Sequence, residues 1–315
     1  MTAQLMEVKG LSKSFGTMKA VKSIDFSIQE GRCVALLGPN GAGKTTTIRM
    51  LTGLLAPTAG EVSFRSLAPG EDRRALIGYL PQTPAFHNWM SGMEYVVYAG
   101  RLCGLGVSEA KNRAKELLER VGLADAAKRK LGGYSGGMKQ RLGLAQALVH
   151  QPKLLVMDEP VSALDPLGRR EVLRLLKELK SETTVLFSTH VLHDAEELCD
   201  DVVIIRSGEV ALQGSLASIR SQHRQPVIEL KLDEDNTRGM DWARAFVQRT
   251  NSGEASYSWL SEAELRGNRL HLTAAHMDQA RQALLEELAR HSVPFSRLEV
   301  GYSSLEDLFM KVVGE

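Results

Sequence analysis

The 315-residue chain predicts an α/β fold, a mixed and largely parallel sheet with a helical insertion, followed by a small α+β domain. Three observations carry this expectation. Cys33-Val34-Ala35-Leu36-Leu37 is a short apolar run, a glycine-rich loop follows it, and residues 46–55 continue as a helix. Lys44, Gln82, Asp158, Glu159 and His190 each come just past an apolar run that reads as a strand. In open parallel sheets, ligands bind beyond the carboxyl ends of the strands. Beyond about Ser221 the chain changes to short strands alternating with helices and carries no chemical constellation.

Composition sets the outer bounds. The length suggests about two domains and is ample for a buried core. An apolar content of 43% and a charged content of 24% are ordinary for a globular protein. A formal net charge of +1 gives no case for bulk electrostatic binding to nucleic acid. Cys33, Cys103 and Cys199 are scattered, which argues for a reducing compartment and reads as buried small hydrophobes rather than a disulfide or zinc framework. No signal peptide and no run of 18 apolar residues is visible. The expectation is therefore a cytoplasmic chain whose membrane role, if it has one, comes through a partner.

In chain order, residues 5–28 alternate loosely and read as short strands of a β-subdomain. Phe15 within them is a candidate platform for a nucleobase, with a plain core aromatic as the equal alternative. The loop Gly38-Pro39-Asn40-Gly41-Ala42-Gly43-Lys44-Thr45, continued by Thr46, fits G-x-x-x-x-G-K-[ST]. Its glycines let several backbone N–H groups converge on one spot, and the helix that follows adds about half a positive charge there. Lys44 would reach the β- and γ-phosphates of a nucleotide, and the Thr45 hydroxyl would ligate Mg²⁺.

Residues 60–64 and 75–80 read as strands, the second ending at Pro81-Gln82. Phe86-His87-Asn88-Trp89-Met90 reads as an apolar loop that either docks a partner or buries itself against the helices. Glu94 to Leu105 reads as a helix, and Ser108 as the cap of a second one. Ser135 caps a further helix, and its Ser-Gly-Gly entry makes a second anion-binding helix start. One chain rarely needs two such ends for one phosphate group, which suggests that the second serves a neighbouring copy. Leu154-Leu155-Val156-Met157 runs into Asp158 and Glu159, two carboxylates whose burial is costly unless something ionic sits beside them. Asp165 caps the next helix with Pro166 at its first position. Residues 183–187 form one more strand, leading to Ser188-Thr189-His190, and residues 202–212 read as a hairpin.

Together these stretches resemble the nucleotide-binding subunit of ATP-binding cassette (ABC) transporters, over roughly Leu5 to Arg220. Phe15 matches the adenine-stacking aromatic, Gly38 to Thr45 the Walker A loop, and Gln82 the Q-loop glutamine. Tyr134 to Gln140 matches the signature motif, and Leu154 to Glu159 matches Walker B. Ser162 to Asp165 fits the D-loop, and His190 the switch histidine. Seven motifs in order make a specific signal.

The resemblance implies a P-loop NTPase of ABC type, with a mixed sheet core, an antiparallel β-subdomain and a helical signature subdomain over about residues 91–150. It implies an ATPase using ATP and Mg²⁺, with Thr45, Gln82 and Asp158 around the metal and Glu159 activating water, helped by His190, Lys44 and Gln82. It also implies a head-to-tail dimer, in which Ser135, Gly136 and Gly137 touch the ATP of the other copy, and an integral membrane permease as a further partner. Where the commonest signature reads Leu-Ser-Gly-Gly-Gln, this chain has Tyr134-Ser135-Gly136-Gly137-Met138, and Met138 supplies no amide. That variant looks like the exporter branch handling drugs, antibiotics, lipids or polysaccharide. The expected place is thus the inner face of the cell membrane.

The ATP-binding domain is expected over 5–222 and an accessory domain over 223–315. In the latter, strands are expected at 227–232, 257–260, 270–272 and 293–300, and helices at 241–248, 277–291 and 304–313. Their β-α-β-β-α-β order suggests a ferredoxin-like unit. A soluble ABC ATPase acting on nucleic acid or ribosomes is the alternative. It lacks support from the near-neutral charge, from the single cassette, and from the absence of a heptad run between Thr45 and Ser135. A non-hydrolysing regulatory binder conflicts with intact Asp158, Glu159 and His190.

Overall fold

Apolar runs bounded by turns become buried strands, and these set the rim on which the polar residues sit. The computed structural model describes residues 3–68, 71–162, 164–222, 225–233, 237–252, 257–303 and 306–309. The chain divides into two compact units, Met1–Ala217 and Ser218–Glu315.

The first unit is built on a six-stranded sheet. Its strands are β3 (Cys33–Leu37), β5 (Ile77–Leu80), β6 (Leu154–Asp158), β7 (Thr184–Thr189), β8 (Asp201–Arg206) and β9 (Glu209–Ser215), in the order β5-β6-β7-β3-β8-β9. All neighbours pair in parallel except β8 and β9, which form the expected hairpin. Every residue of β3, β6 and β7 is buried, so these strands carry apolar runs rather than alternation, with polar residues only toward the ends of β6 and β7.

Against this sheet packs an antiparallel one, β2-β1-β4, made of β1 (Gln4–Phe15), β2 (Met18–Gln29) and β4 (Ala59–Phe64). Where the sequence suggests several short strands, β1 and β2 are single strands of 12 residues each. Register shifts between Val8 and Leu11 and around Lys13 keep one face apolar through the polar interruptions. Leu11, Ile24 and Ile28 thereby meet Ile48, Met50 and Leu51 of helix α1 (Lys44–Leu51), together with Val34 and Leu36 of the large sheet, in one core.

Between β5 and β6 lie α2 (Gly92–Leu102), α3 (Val107–Arg120) and α4 (Gly136–Leu148). Ser91 and Glu94 form a capping box on α2. Ser108 is not a cap: α3 begins at Val107 after an extended Gly106, so Ser108 already has helical backbone. Cys103, read as a buried hydrophobe, is exposed at the end of α2, while Cys33 and Cys199 are buried with their sulfurs 3.4 Å apart. Helices α5 (Pro166–Leu179) and α6 (Leu192–Leu198) complete the unit, and α7 (Leu216–Gln222) runs across the boundary into the second. Of the expected D-loop stretch, Ala163 lies outside the described residues.

The second unit runs β10 (Pro226–Leu232), α8 (Thr237–Asn251), β11 (Leu260–Arg266), β12 (Arg269–Ala274), α9 (Met277–Arg290) and β13 (Phe295–Tyr302). Its sheet has the order β11-β12-β10-β13 and is antiparallel throughout. Alternation sends Ile228, Leu230, Leu270 and Leu272 to the face that meets Trp242, Phe246, Leu284 and Leu288. The expected strand at 257–260 is displaced, since β11 starts only at Leu260. Tyr257 and Trp259 turn instead into the aromatic cluster around Phe246. Residues 306–309 are helical, and the remainder of the helix expected over 304–313 lies outside the described residues.

His150, just beyond α4, donates from Nε2 to the carbonyl of Ile77 at 3.2 Å if the proton is placed there, and its buried Nδ1 has no partner. Burial depresses its pKa below the ordinary histidine range, and the charge of Arg113 pushes the same way. The unfolded chain then takes up the proton more readily than the folded one. This stabilisation is complete above the unfolded value of about 6.5 and is lost as pH falls toward the folded value. Urea midpoints measured from pH 8 to pH 5 should therefore fall below about pH 6.5. His150→Gln, which keeps a donor but does not titrate, should flatten that fall.

Candidate functional site

The curl of the loop after β3 is dictated by close packing. A side chain at Gly38 would bring its Cβ within 2.2 Å of the Ile205 carbonyl oxygen of β8. Gly43 adopts φ 108° and would meet the Ala20 carbonyl at 2.7 Å. Both positions exclude any larger residue. Gly41 (φ 80°) completes the turn, and Pro39 and Asn40 form its outer arc. Ala42 is buried, and its carbonyl accepts from Gly208 N. Helix α1 starts at Lys44 with no side-chain cap, so its free N–H groups face the loop's concave side. Thr45 and Thr46 on its first turn are half-buried.

Lys44 is 5% exposed. Its Nζ donates to the carbonyls of Gly38 at 2.8 Å and Pro39 at 3.1 Å, and stands 3.9 Å from Glu159 Oε1. Burial pushes the ammonium pKa down, and the Glu159 and Asp158 carboxylates hold it up against that.

The carboxyl ends of β5, β6 and β7 bring the other groups to the same point. Glu159, just past β6, accepts from Gln82 Nε2 at 3.1 Å through Oε2, while its Oε1 lies 3.3 Å from His190 Nδ1. Four of the five residues expected at the strand ends thus meet through one carboxylate. Asp158, the fifth, is 2% exposed and accepts from Thr45 Oγ1 at 3.2 Å and Ser188 Oγ at 2.7 Å. Thr45 and Asp158 are both hard oxygen donors facing the loop. That suits Mg²⁺, which takes one or two protein oxygens and completes its shell with phosphate and water. Among the described residues no group of three or more His, Cys, Asp or Glu could hold a metal by itself.

One residue was passed over in the sequence. Ser188 Oγ donates to Asp158 and accepts from the Glu159 N–H at 2.9 Å, and Ser188 is fully buried. Glu159 has φ 46°, the left-handed region that costs a non-glycine residue energy. The Ser188 hydroxyl holds that backbone in place. The only available signal was a polar residue closing an apolar strand two positions before His190.

The remaining expected residues lie apart from this cluster. Ser135 caps α4, accepting from Met138 N at 3.3 Å, with Gly136 and Gly137 forming the first turn. Asp165 caps α5, accepting from Gly168 N at 2.9 Å. Among the described residues no hydrogen bond or ion pair joins Ser135, Gly136, Gly137 or Asp165 to Lys44 or Glu159. Gln140 on α4 donates to the Pro160 carbonyl at 2.9 Å, tying that helix to the loop after β6. Phe15, at the end of β1, is 47% exposed, with Lys13 Nζ 5.3 Å from its ring centre.

Known proteins are similar to this chain in sequence and fold. Residues 21–162 match the family described as ABC transporter, and residues 214–313 match the family described as ATP-binding protein DrrA1-3-like, C-terminal domain. The chain is 46% identical over 309 residues to the uncharacterized ABC transporter ATP-binding protein YxlF of Bacillus subtilis (strain 168), covering 98% of this chain and 99% of that one. It is 37% identical over 265 residues to the Nod factor export ATP-binding protein I of Burkholderia lata, covering 82% and 87%. A solved dimeric ATP-binding cassette, in a post-hydrolysis state bound to ADP and Pi, superposes with a TM-score of 0.61 at 28% identity, covering 67% of this chain and 99% of that one. Sequence, fold and similarity agree that the chain belongs to the ATP-hydrolysing subunits of ABC transporters.

Proposed function

We propose that this ATPase drives export through a separate membrane-spanning partner. It works as a homodimer that holds two ATP molecules head to tail and sits at the cytoplasmic face of the membrane. The observation that carries the catalytic part is the meeting of Lys44, Gln82 and His190 on the Glu159 carboxylate. Among the described residues no helix is long and apolar enough to cross a membrane. The relative named for Nod factor export supports the outward direction. We read residues 5–222 as the ATP-binding domain and 223–315 as an accessory domain.

Phosphate oxygens are held by the backbone N–H groups of Gly38, Asn40, Gly41 and residues 43–46 and by Lys44, which exchanges its two carbonyl partners for them. Phe15 offers its exposed ring to the adenine. Thr45 and Asp158, with Gln82 at the rim, would hold Mg²⁺, which when bound neutralises charge on the phosphates. Glu159 accepts a proton from water lined up with the γ-phosphate, and His190 and Gln82 fix its carboxylate. Ser135, Gly136 and Gly137 lie outside this cluster, so their free N–H groups serve the nucleotide of the second copy, with Asp165 beside them at that interface.

Glu159→Gln keeps the shape but removes the base. Steady-state ATPase should drop by about 10²–10⁴, while binding of a fluorescent ATP analogue stays within a fewfold of wild type. Brisk turnover in that variant would remove Glu159 from the role. Ser188→Ala leaves the strained Glu159 backbone with an unpaired buried N–H, worth about 1–3 kcal/mol. Its kcat should fall roughly ten- to a hundredfold with KM for ATP little changed, and Ser188→Thr should restore much of it. A loss confined to KM would show that Ser188 does not act through Glu159.

A further inference from the structure

Hydrogen bonds hold the backbone around Glu159 from several parts of the first unit. The Glu159 N–H donates to Ser188 Oγ on β7 at 2.9 Å. The Glu159 carbonyl accepts from Ser162 Oγ at 3.1 Å, within the same turn. The next carbonyl, that of Pro160, accepts from Gln140 Nε2 at 2.9 Å. Gln140 alone among these partners belongs to the helical insertion between β5 and β6. It is 7% exposed and Pro160 is buried, so water is a poor substitute for either partner. Every other buried residue of α4 is apolar or glycine. An apolar side chain of similar volume would pack that face with no polar group to satisfy, so the amide points to a directional role.

The geometry says what that role is. Glu159 sits in the left-handed region at φ 46°, a conformation that persists only where its surroundings fix it. The ring of Pro160 locks its own φ, and the peptide joining the two residues is planar. One soft torsion therefore separates the anchored Pro160 carbonyl from the Glu159–Pro160 peptide. Fixing that carbonyl limits where the Glu159 side chain can point, and so where its carboxylate meets Gln82 and His190. Helix α4 is itself closely seated on β5. A Cβ at Gly143 would come within 2.6 Å of Leu80 Cδ1, and one at Gly78 within 2.1 Å of the Ala147 carbonyl oxygen. Strand β5 leads directly to Gln82. One helix thus abuts the strand that delivers Gln82 and grips the turn that carries Glu159.

We propose that Gln140 is a positioning residue for hydrolysis, acting through the Pro160 carbonyl on the orientation of the Glu159 carboxylate. The proposal rests on the reading of Glu159 as the base. Gln140 serves the aim of that carboxylate and not the capture of nucleotide. A misplacement of about 1 Å can cost about a hundredfold in rate. Ser135 caps the start of the same helix, so a displacement of α4 at that end reaches the base through a single side chain.

The test uses the full chain. Gln140→Met keeps the length of the side chain and removes the donor. Its kcat for ATP should fall about tenfold or more, with KM and the affinity for mant-ATP within a fewfold of wild type. Retained mant-ATP binding also shows that the variant is folded. Gln140→Asn retains an amide but is too short to reach the carbonyl, and it should show the same split. Introduced into Glu159→Gln, Gln140→Met should lower the residual rate no further, because the base it positions is gone. A wild-type kcat in either single variant overturns the proposal. So does a loss carried by KM or by mant-ATP affinity, or an equal further loss in the Glu159→Gln background. With Glu159→Gln itself inactive, those results leave the base assignment standing, whereas brisk turnover by Glu159→Gln alone overturns both.

Discussion

A carboxylate at the end of a buried strand is tolerable only beside compensating groups, and the whole first unit is arranged around that constraint. Strand β6 ends in Asp158 and leads straight to Glu159. Asp158 is stabilised by the hydroxyls of Thr45 and Ser188, and Glu159 by Gln82, His190 and the buried ammonium of Lys44. These partners come from β3's loop, β5, β7 and the segment after it, so the parallel order β5-β6-β7-β3 is what brings them together. Removing β7 from that order would take away the Ser188 hydroxyl and His190, and removing β3 would take away Lys44.

Much of this was readable in the amino-acid order because it depends on local rules. An apolar run followed by a polar residue marks a buried strand ending at a rim, and Lys44, Gln82, Glu159 and His190 were all found by that signal. Asp165 before Pro166 signals a helix start for reasons internal to the backbone, and it caps α5. What escaped depended on partners distant in sequence. The length of β1 and β2 is set by bulges that only their pairing reveals. Gly106 sets the start of α3, against the stronger capping propensity of Ser108. Ser188 matters because Glu159 adopts a left-handed backbone, which no residue preference announces.

The second unit shows the same limit at the level of a whole sheet. Each of its strands alternates, so the apolar face was evident, and Trp242 and Phe246 mark the helix that covers it. The charged face looks in sequence like ordinary scattered Arg and Glu. Only the register of four strands, two of them far apart in the chain, sorts those charges into separate stripes.

The close approach of Gly38 to the Ile205 carbonyl has a consequence for the energetics of capture. The loop's curvature is imposed by β8 pressing from behind, in the manner of a mould, so its conformational freedom is already surrendered when the chain folds. A ligand arriving there meets donors that need no rearrangement, and little of its intrinsic affinity is diverted into ordering the receptor.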